Sequence, residues 1–148
     1  MTRFAVGADH AGYLLKDLLA ERLRDHGHAV LDLGTNSPDR TDYPDYGAAV
    51  GRAVAGDAAD FGVLVCGSGV GICIAANKIA GVRAATVHDV TSARLSREHN
   101  DANIMCVGER LIGQQVALDA LDAFIDASFQ HGRHTTRVAK IDALLPPP

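Results

Sequence analysis

Cys66 stands between an apolar run, Phe61-Gly-Val-Leu-Val-Cys66, and a glycine-rich stretch, Gly67-Ser68-Gly69-Val70-Gly71, which leads into a further apolar segment from Ile72. A strand, a tight turn and a helix start are implied. In such a turn successive backbone N–H groups point at one anion or oxyanion without interference from Cβ atoms, and the helix start adds a positive dipole end. A thiol at its mouth is favoured as thiolate, which makes Cys66 a candidate nucleophile or proton acceptor near neutral pH. The pattern lacks the Gly-Lys-Ser/Thr of a P-loop. It also lies at the third expected strand with no acidic residue ending the next one, so it is a poor dinucleotide fingerprint. Two readings stand from these residues alone: an anion- or oxyanion-binding turn with a reactive thiol, or a packing turn around a structural cysteine.

The elements that must position this turn alternate along the chain. Strands are expected at Arg3–Ala8, His28–Leu33, Phe61–Cys66, Val82–Val87 and Ile104–Val107. Between and after them, helices are expected at Gly12–His26, from Pro44 to about Gly56, at Val70–Ala80, Val90–Glu98 and Gly113–Ala127. The first helix carries Leu14, Leu15, Leu18, Leu19 and Leu23 at helical spacing, and Gly27 is a natural stop. The strands lack clean polar alternation, so both sheet faces should be covered, which predicts an α/β, Rossmann-like doubly wound sheet of about five parallel strands. Ligands of such sheets bind beyond the carboxyl ends of the strands. The residues expected there are Asp9 and His10, Tyr43 at the end of a polar loop, Cys66 to Gly71, Asp89, and Glu109 with Arg110. His99 and Asn100, which follow the fourth helix, are assigned to the same rim.

With 148 residues the chain fits one domain, residues 1–148, with a sizeable core. Its net charge of −4 leaves no basic stripe for nucleic acid, no apolar run is long enough to span a bilayer, and no export signal is expected. A soluble, cytoplasmic protein is predicted. The three cysteines, Cys66, Cys73 and Cys106, have no metal-like spacing, so no metal or other cofactor is expected, and Cys73 and Cys106 read as buried core thiols.

Several segments resemble one family in order. These are Gly7-Ala-Asp9-His10-Ala-Gly12, Arg40-Thr-Asp-Tyr43-Pro44, Cys66-Gly-Ser-Gly-Val-Gly71, Asn77-Lys78, Ser96-Arg-Glu-His99-Asn100-Asp-Ala-Asn103 and Gly132-Arg133-His134. They are similar to the signature segments of the B-type ribose-5-phosphate isomerases, a family grouped with galactose- and allose-6-phosphate isomerases. The likeness runs from the first strand to about Ile141. It implies a metal-free aldose–ketose isomerase that works as a homodimer or dimer of dimers with active sites shared between subunits.

Carried over by position, the resemblance makes Cys66 the base that moves a proton between C2 and C1 of the open-chain sugar. The amides from Gly67 to Gly71, Val70 among them, would stabilise the enediolate. Ser68 replaces a threonine common in the family and keeps the hydroxyl for proton relay. A subset of the family uses a glutamate one residue after the last glycine of the loop; here that residue is Ile72, which leaves Cys66 as the base. His99 would open the sugar ring, with Asn100 beside it. Asp9 would bind sugar hydroxyls, although it could equally cap the first helix, and Tyr43 would close over the sugar or simply pack in its loop.

Arg133 and Arg137 are four residues apart, where like charges on a helix repel unless an anion lies between them. A phosphate meets that need through the arginine fork, with His10 and Arg110 completing the cluster; a solvated basic face is the plainer reading. His134 would contribute to ring opening or phosphate contact. Residues 130–148 are expected as a C-terminal helical tail on a partner subunit, fraying over Ala143-Leu-Leu-Pro-Pro-Pro148. A six-carbon sugar phosphate or a non-catalytic sugar-phosphate-binding module are the alternatives to a five-carbon substrate.

Overall fold

The computed structural model describes all residues from 1 to 148. In chain order it forms β1 (Arg3–Ala8), α1 (Tyr13–Asp25), β2 (Ala29–Asp32), α2 (Tyr43–Ala55), β3 (Phe61–Cys66), α3 (Gly71–Ala76), β4 (Ala84–Thr86), α4 (Val90–Asn100), β5 (Ile104–Gly108), α5 (Gln114–Asp126) and α6 (Arg133–Leu144). The five strands are all parallel in the order β2-β1-β3-β5-β4. The Rossmann-like α/β expectation holds, with one detail that periodicity does not encode: β5 inserts between β3 and β4, and β4 becomes an edge.

Both sheet faces are buried because both carry apolar side chains. On one face Val6, Val63, Val65, Met105 and Val107 pack against Leu15, Leu19 and Leu23 of α1, Ala93 of α4 and Leu121 and Phe124 of α5. On the other, Ala5, Leu64, Ile104 and Cys106 meet Val50 and Val54 of α2 and Ile72, Cys73 and Ala76 of α3. In α1 the buried arc runs from Leu15 through Lys16 to Ala20, spanning about 140° at 100° per residue. Leu14 falls off that arc and is 59% exposed, despite its place in the leucine run.

Two expected elements are shorter than their apolar runs. The helix expected at Val70–Ala80 ends at Ala76, and the strand expected at Val82–Val87 covers only Ala84–Thr86. The Asn77 amide explains both limits. Its Nδ2 donates to the Ala84 carbonyl (2.9 Å) and its Oδ1 accepts the Ala84 N–H (2.8 Å), so one side chain stops α3 and blocks the open edge of β4. At the C-terminus, α6 turns His134 and Val138 inward and ends at Leu144, ahead of the prolines.

Candidate active site

The carboxyl ends of β1 and β3 are neighbours, and from them the chain leaves in opposite directions across the sheet. At this switch point lies a cavity of about 610 Å³, lined by Asp9, His10, Tyr43, Cys66, Gly67, Ser68, Val70, Gly71 and Arg110, with Ala11, Ile74 and Leu111 completing its wall. Nine of the residues singled out in the sequence thus meet in one place. Ile74 and Leu111, more than half exposed, form an apolar lip that no chemical motif marks.

The loop after β3 is held from both sides. Glu109 N–H donates to the Cys66 carbonyl and Arg110 N–H to that of Gly67, each at 3.0 Å, while the Thr86 hydroxyl donates to the Gly69 carbonyl at 2.8 Å. Cys66 is 4% exposed, and its Sγ accepts the Gly69 N–H at 3.1 Å. The Val70 N–H donates to Ser68 Oγ at 3.2 Å. These two amides are therefore engaged within the loop, whereas those of Gly67, Ser68 and Gly71 make no hydrogen bond inside the chain. The expected five-amide cradle narrows to these three. With α3 only six residues long, the loop amides rather than a long helix dipole supply the positive potential.

Around the loop, Asp9 is 6% exposed and its Oδ1 accepts the Ala11 N–H at 2.9 Å. It does not cap α1, whose N-cap is Gly12 without a side-chain hydrogen bond. His10 Nδ1 lies 3.2 Å from both the N–H and the carbonyl of Thr41, so either tautomer fixes the ring to the loop before α2 and leaves Nε2 free. Tyr43 opens α2 against Gly71, where a Cβ would lie 2.6 Å from Tyr43 Cζ; only glycine lets the ring settle there. Burial pushes the Glu109 carboxyl above its usual range and nearby Asp9 adds to this, against the Leu15 N–H and Arg110.

The remaining candidates form a second group. α4 runs from the carboxyl end of β4 back to the start of β5, so His99 and Asn100 lie at the amino end of the sheet, not on the rim assigned from sequence. α4 extends through both residues, two beyond the expected Glu98, and the C-terminal end of a helix crossing back between parallel strands must fall there; the five residues of β5 separate the two ends by about 17 Å. His99 stacks on His134 (ring centroids 4.3 Å apart, planes at 11°), and α6 presents Arg133 and Arg137 to solvent beside them. His134 is 5% exposed and its Nε2 has no partner within the chain.

Burial holds His134 below the usual histidine pKa, with the charges of His99, Arg133 and Arg137 acting in the same direction. The unfolded chain therefore binds the proton more readily, so stability is full above about pH 6.5 and falls as pH drops toward the lowered folded value. Thermal melts between pH 7.5 and 5.5 are expected to lose midpoint on acidification, and His134→Gln should flatten that slope. An unchanged slope in the variant would assign the acid sensitivity elsewhere.

Of the other thiols, Cys106 is fully buried and burial pushes it well above the ordinary thiol range. Cys73 is held below that range by a hydrogen bond with Cys106, against burial and with help from Thr86. Neither lines the cavity. No three His, Cys, Asp or Glu side chains converge in a way that could hold a metal ion, and no helix is long and apolar enough to cross a membrane.

A parallel α/β sheet with a cysteine and unpaired backbone amides at its switch point is an α/β protein with a site built for a small anion. Sequence comparison gives the family: residues 4–141 match the ribose/galactose isomerases, and the chain belongs to that family. It is 46% identical to ribose-5-phosphate isomerase B of Escherichia coli over 97% of each chain. It is also 39% identical to a galactose-6-phosphate isomerase subunit of Clostridium acetobutylicum, over 95% of this chain and 82% of the relative. The fold matches the solved ribose-5-phosphate isomerase B of Clostridium thermocellum with a TM-score of 0.95, at 48% identity and 96% coverage of both chains. A structure of the Mycoplasma genitalium ribose-5-phosphate isomerase B with bound ribulose-5-phosphate matches with a TM-score of 0.92 at 38% identity, covering 96% of this chain and 95% of that one.

Proposed function

We propose that this enzyme interconverts ribose 5-phosphate and ribulose 5-phosphate, with Cys66 as the base. The carrying observation is the Cys66 thiol at the cavity floor beside three unpaired loop amides. Cys66 Sγ removes the proton from C2 of the open-chain aldose, and the electrons of that bond move to the C1 oxygen as an enediolate, which takes up the O2 hydrogen as the next step proceeds. The same thiol returns its proton to C1 as the O2 hydrogen leaves. The amides of Gly67, Ser68 and Gly71 stabilise the intermediate oxyanion, and the Ser68 hydroxyl carries protons between the sugar oxygens. The free oxygen of Asp9 takes sugar hydroxyls, and Tyr43 covers the ring.

Ring opening by His99, with Asn100 beside it, requires a second copy of the chain, because these residues lie at the far end of the sheet from Cys66. In a homodimer, or a dimer of dimers, the α4–α6 end of one subunit meets the cavity of the other. Arg133, Arg137 and His134 then join His10 and Arg110 around the phosphate. The exposed arginines and the unpaired His134 Nε2 support this reading, because both are left without partners in a single chain. The C-terminal tail, residues 130–148, thus completes the partner's site.

The test is conversion of ribose 5-phosphate by the purified protein without added metal, beside allose 6-phosphate and galactose 6-phosphate. Turnover of the pentose phosphate with weak hexose activity is expected; the reverse preference would move the assignment to a six-carbon substrate, and silence on all three to a binding module. Sharing is tested by mixing two inactive variants, Cys66→Ala and His99→Ala. Subunit exchange should restore about a quarter of wild-type activity, since mixed dimers carry one intact site. No recovery despite demonstrated exchange would put both residues in one chain's site.

A further inference from the structure

Lys16 is a charged side chain with no solvent exposure at all. It sits on the core-facing arc of α1, where leucine or methionine would satisfy packing. Its Nζ contacts both carboxylate oxygens of Asp32 at 2.8 Å, Asn36 Oδ1 at 2.7 Å and Asp17 Oδ1 at 3.0 Å. The three ammonium donors are thereby saturated, the condition under which a buried charge is tolerated. Asp32 ends β2, and its Oδ1 also accepts the Gly34 N–H at 2.9 Å.

The loop from β2 to α2 is bonded to β1 only at its beginning, through Leu33, Gly34 and Thr35. From Asn36 to Thr41 it makes no backbone hydrogen bond to the sheet. Two side chains of the β1–α1 segment hold this stretch: Lys16 at Asn36 and His10 at Thr41. Tyr43 follows two residues later. On the reading of the cavity as a sugar-phosphate site, we infer that Lys16 is a positioning residue that holds the loop before α2 so that His10 and Tyr43 stand ready for substrate. Lys16 touches no reacting atom; it acts through Asn36, Thr41 and His10.

Asn36→Ala removes the loop contact and leaves the Lys16–Asp32 pair, so it reports even if Lys16→Met does not fold. In both variants the KM for ribose 5-phosphate should rise roughly five- to tenfold with kcat within about twofold. In a His10→Ala background the Asn36→Ala increment should disappear, because the two residues act in series. Without substrate, amide hydrogen exchange at Thr41 should quicken about tenfold in Asn36→Ala. Unchanged exchange at Thr41 would overturn the inference, as would KM increments that add in full to that of His10→Ala. A wild-type protein that bound and turned over no sugar phosphate would overturn the isomerase reading alone, since the exchange measurement contains no substrate.

Discussion

Cys66→Ala is expected to lower kcat for ribose 5-phosphate by at least about 10³-fold, the upper range for removal of a general base. Sugar-phosphate affinity should stay near wild type, because the variant keeps Asp9, His10, Arg110 and the loop amides that line the same cavity. Calorimetric titration with ribose 5-phosphate beside the rate assay separates these effects. The thiol is nearly buried and receives the Gly69 N–H, so its loss removes a group the loop holds in place. Cys73 and Cys106 lie behind it in the core, not in the cavity. A variant that isomerises at a tenth of the wild-type rate would remove Cys66 from the mechanism.

Gly69→Ala should damage both stability and turnover. Gly69 has φ +73°, and a Cβ there would lie 2.6 Å from the Val107 carbonyl carbon and 2.9 Å from the Gly108 nitrogen, backbone atoms of the interior strand β5. Left-handed strain and the clash together should cost about 2–4 kcal/mol. The displaced loop should lose roughly 100-fold in kcat, because sulfur and amides would no longer face one point. Gly27→Ala is the matched control: φ is +81° but nothing lies within 4 Å of the added atom, so only about 1 kcal/mol of strain is expected. Urea melts of the two variants isolate the clash. Equal losses would mean that the loop after β3 yields as readily as a surface turn.

The difference between these glycines marks how far the sequence could be read. The alternation of apolar runs exposes the parallel sheet and the strand preceding Cys66, because burial on both faces leaves a chemical pattern. The insertion of β5 beside β3 leaves none, since strand order depends on long-range pairing. The placement of His99 failed for a topological reason: a residue at the C-terminal end of a crossover helix belongs to the amino end of a parallel sheet, whatever motif it carries. Asn77 and Lys16 were opaque for another. Asn77 stands in a motif but closes a strand edge, and Lys16 interrupts a leucine run yet is fully buried. Both work through partners distant in space. The loop residues themselves were legible, because cysteine, glycine and serine in that order leave few physical uses; which amides remain free needed coordinates.

The glycine loop is fastened at Cys66, Gly67 and Gly69 to chain segments on two neighbouring strands. Its ordering has therefore been completed during folding. Ligand capture need not freeze it again, so the entropic penalty of recognition falls mainly on the sugar phosphate itself.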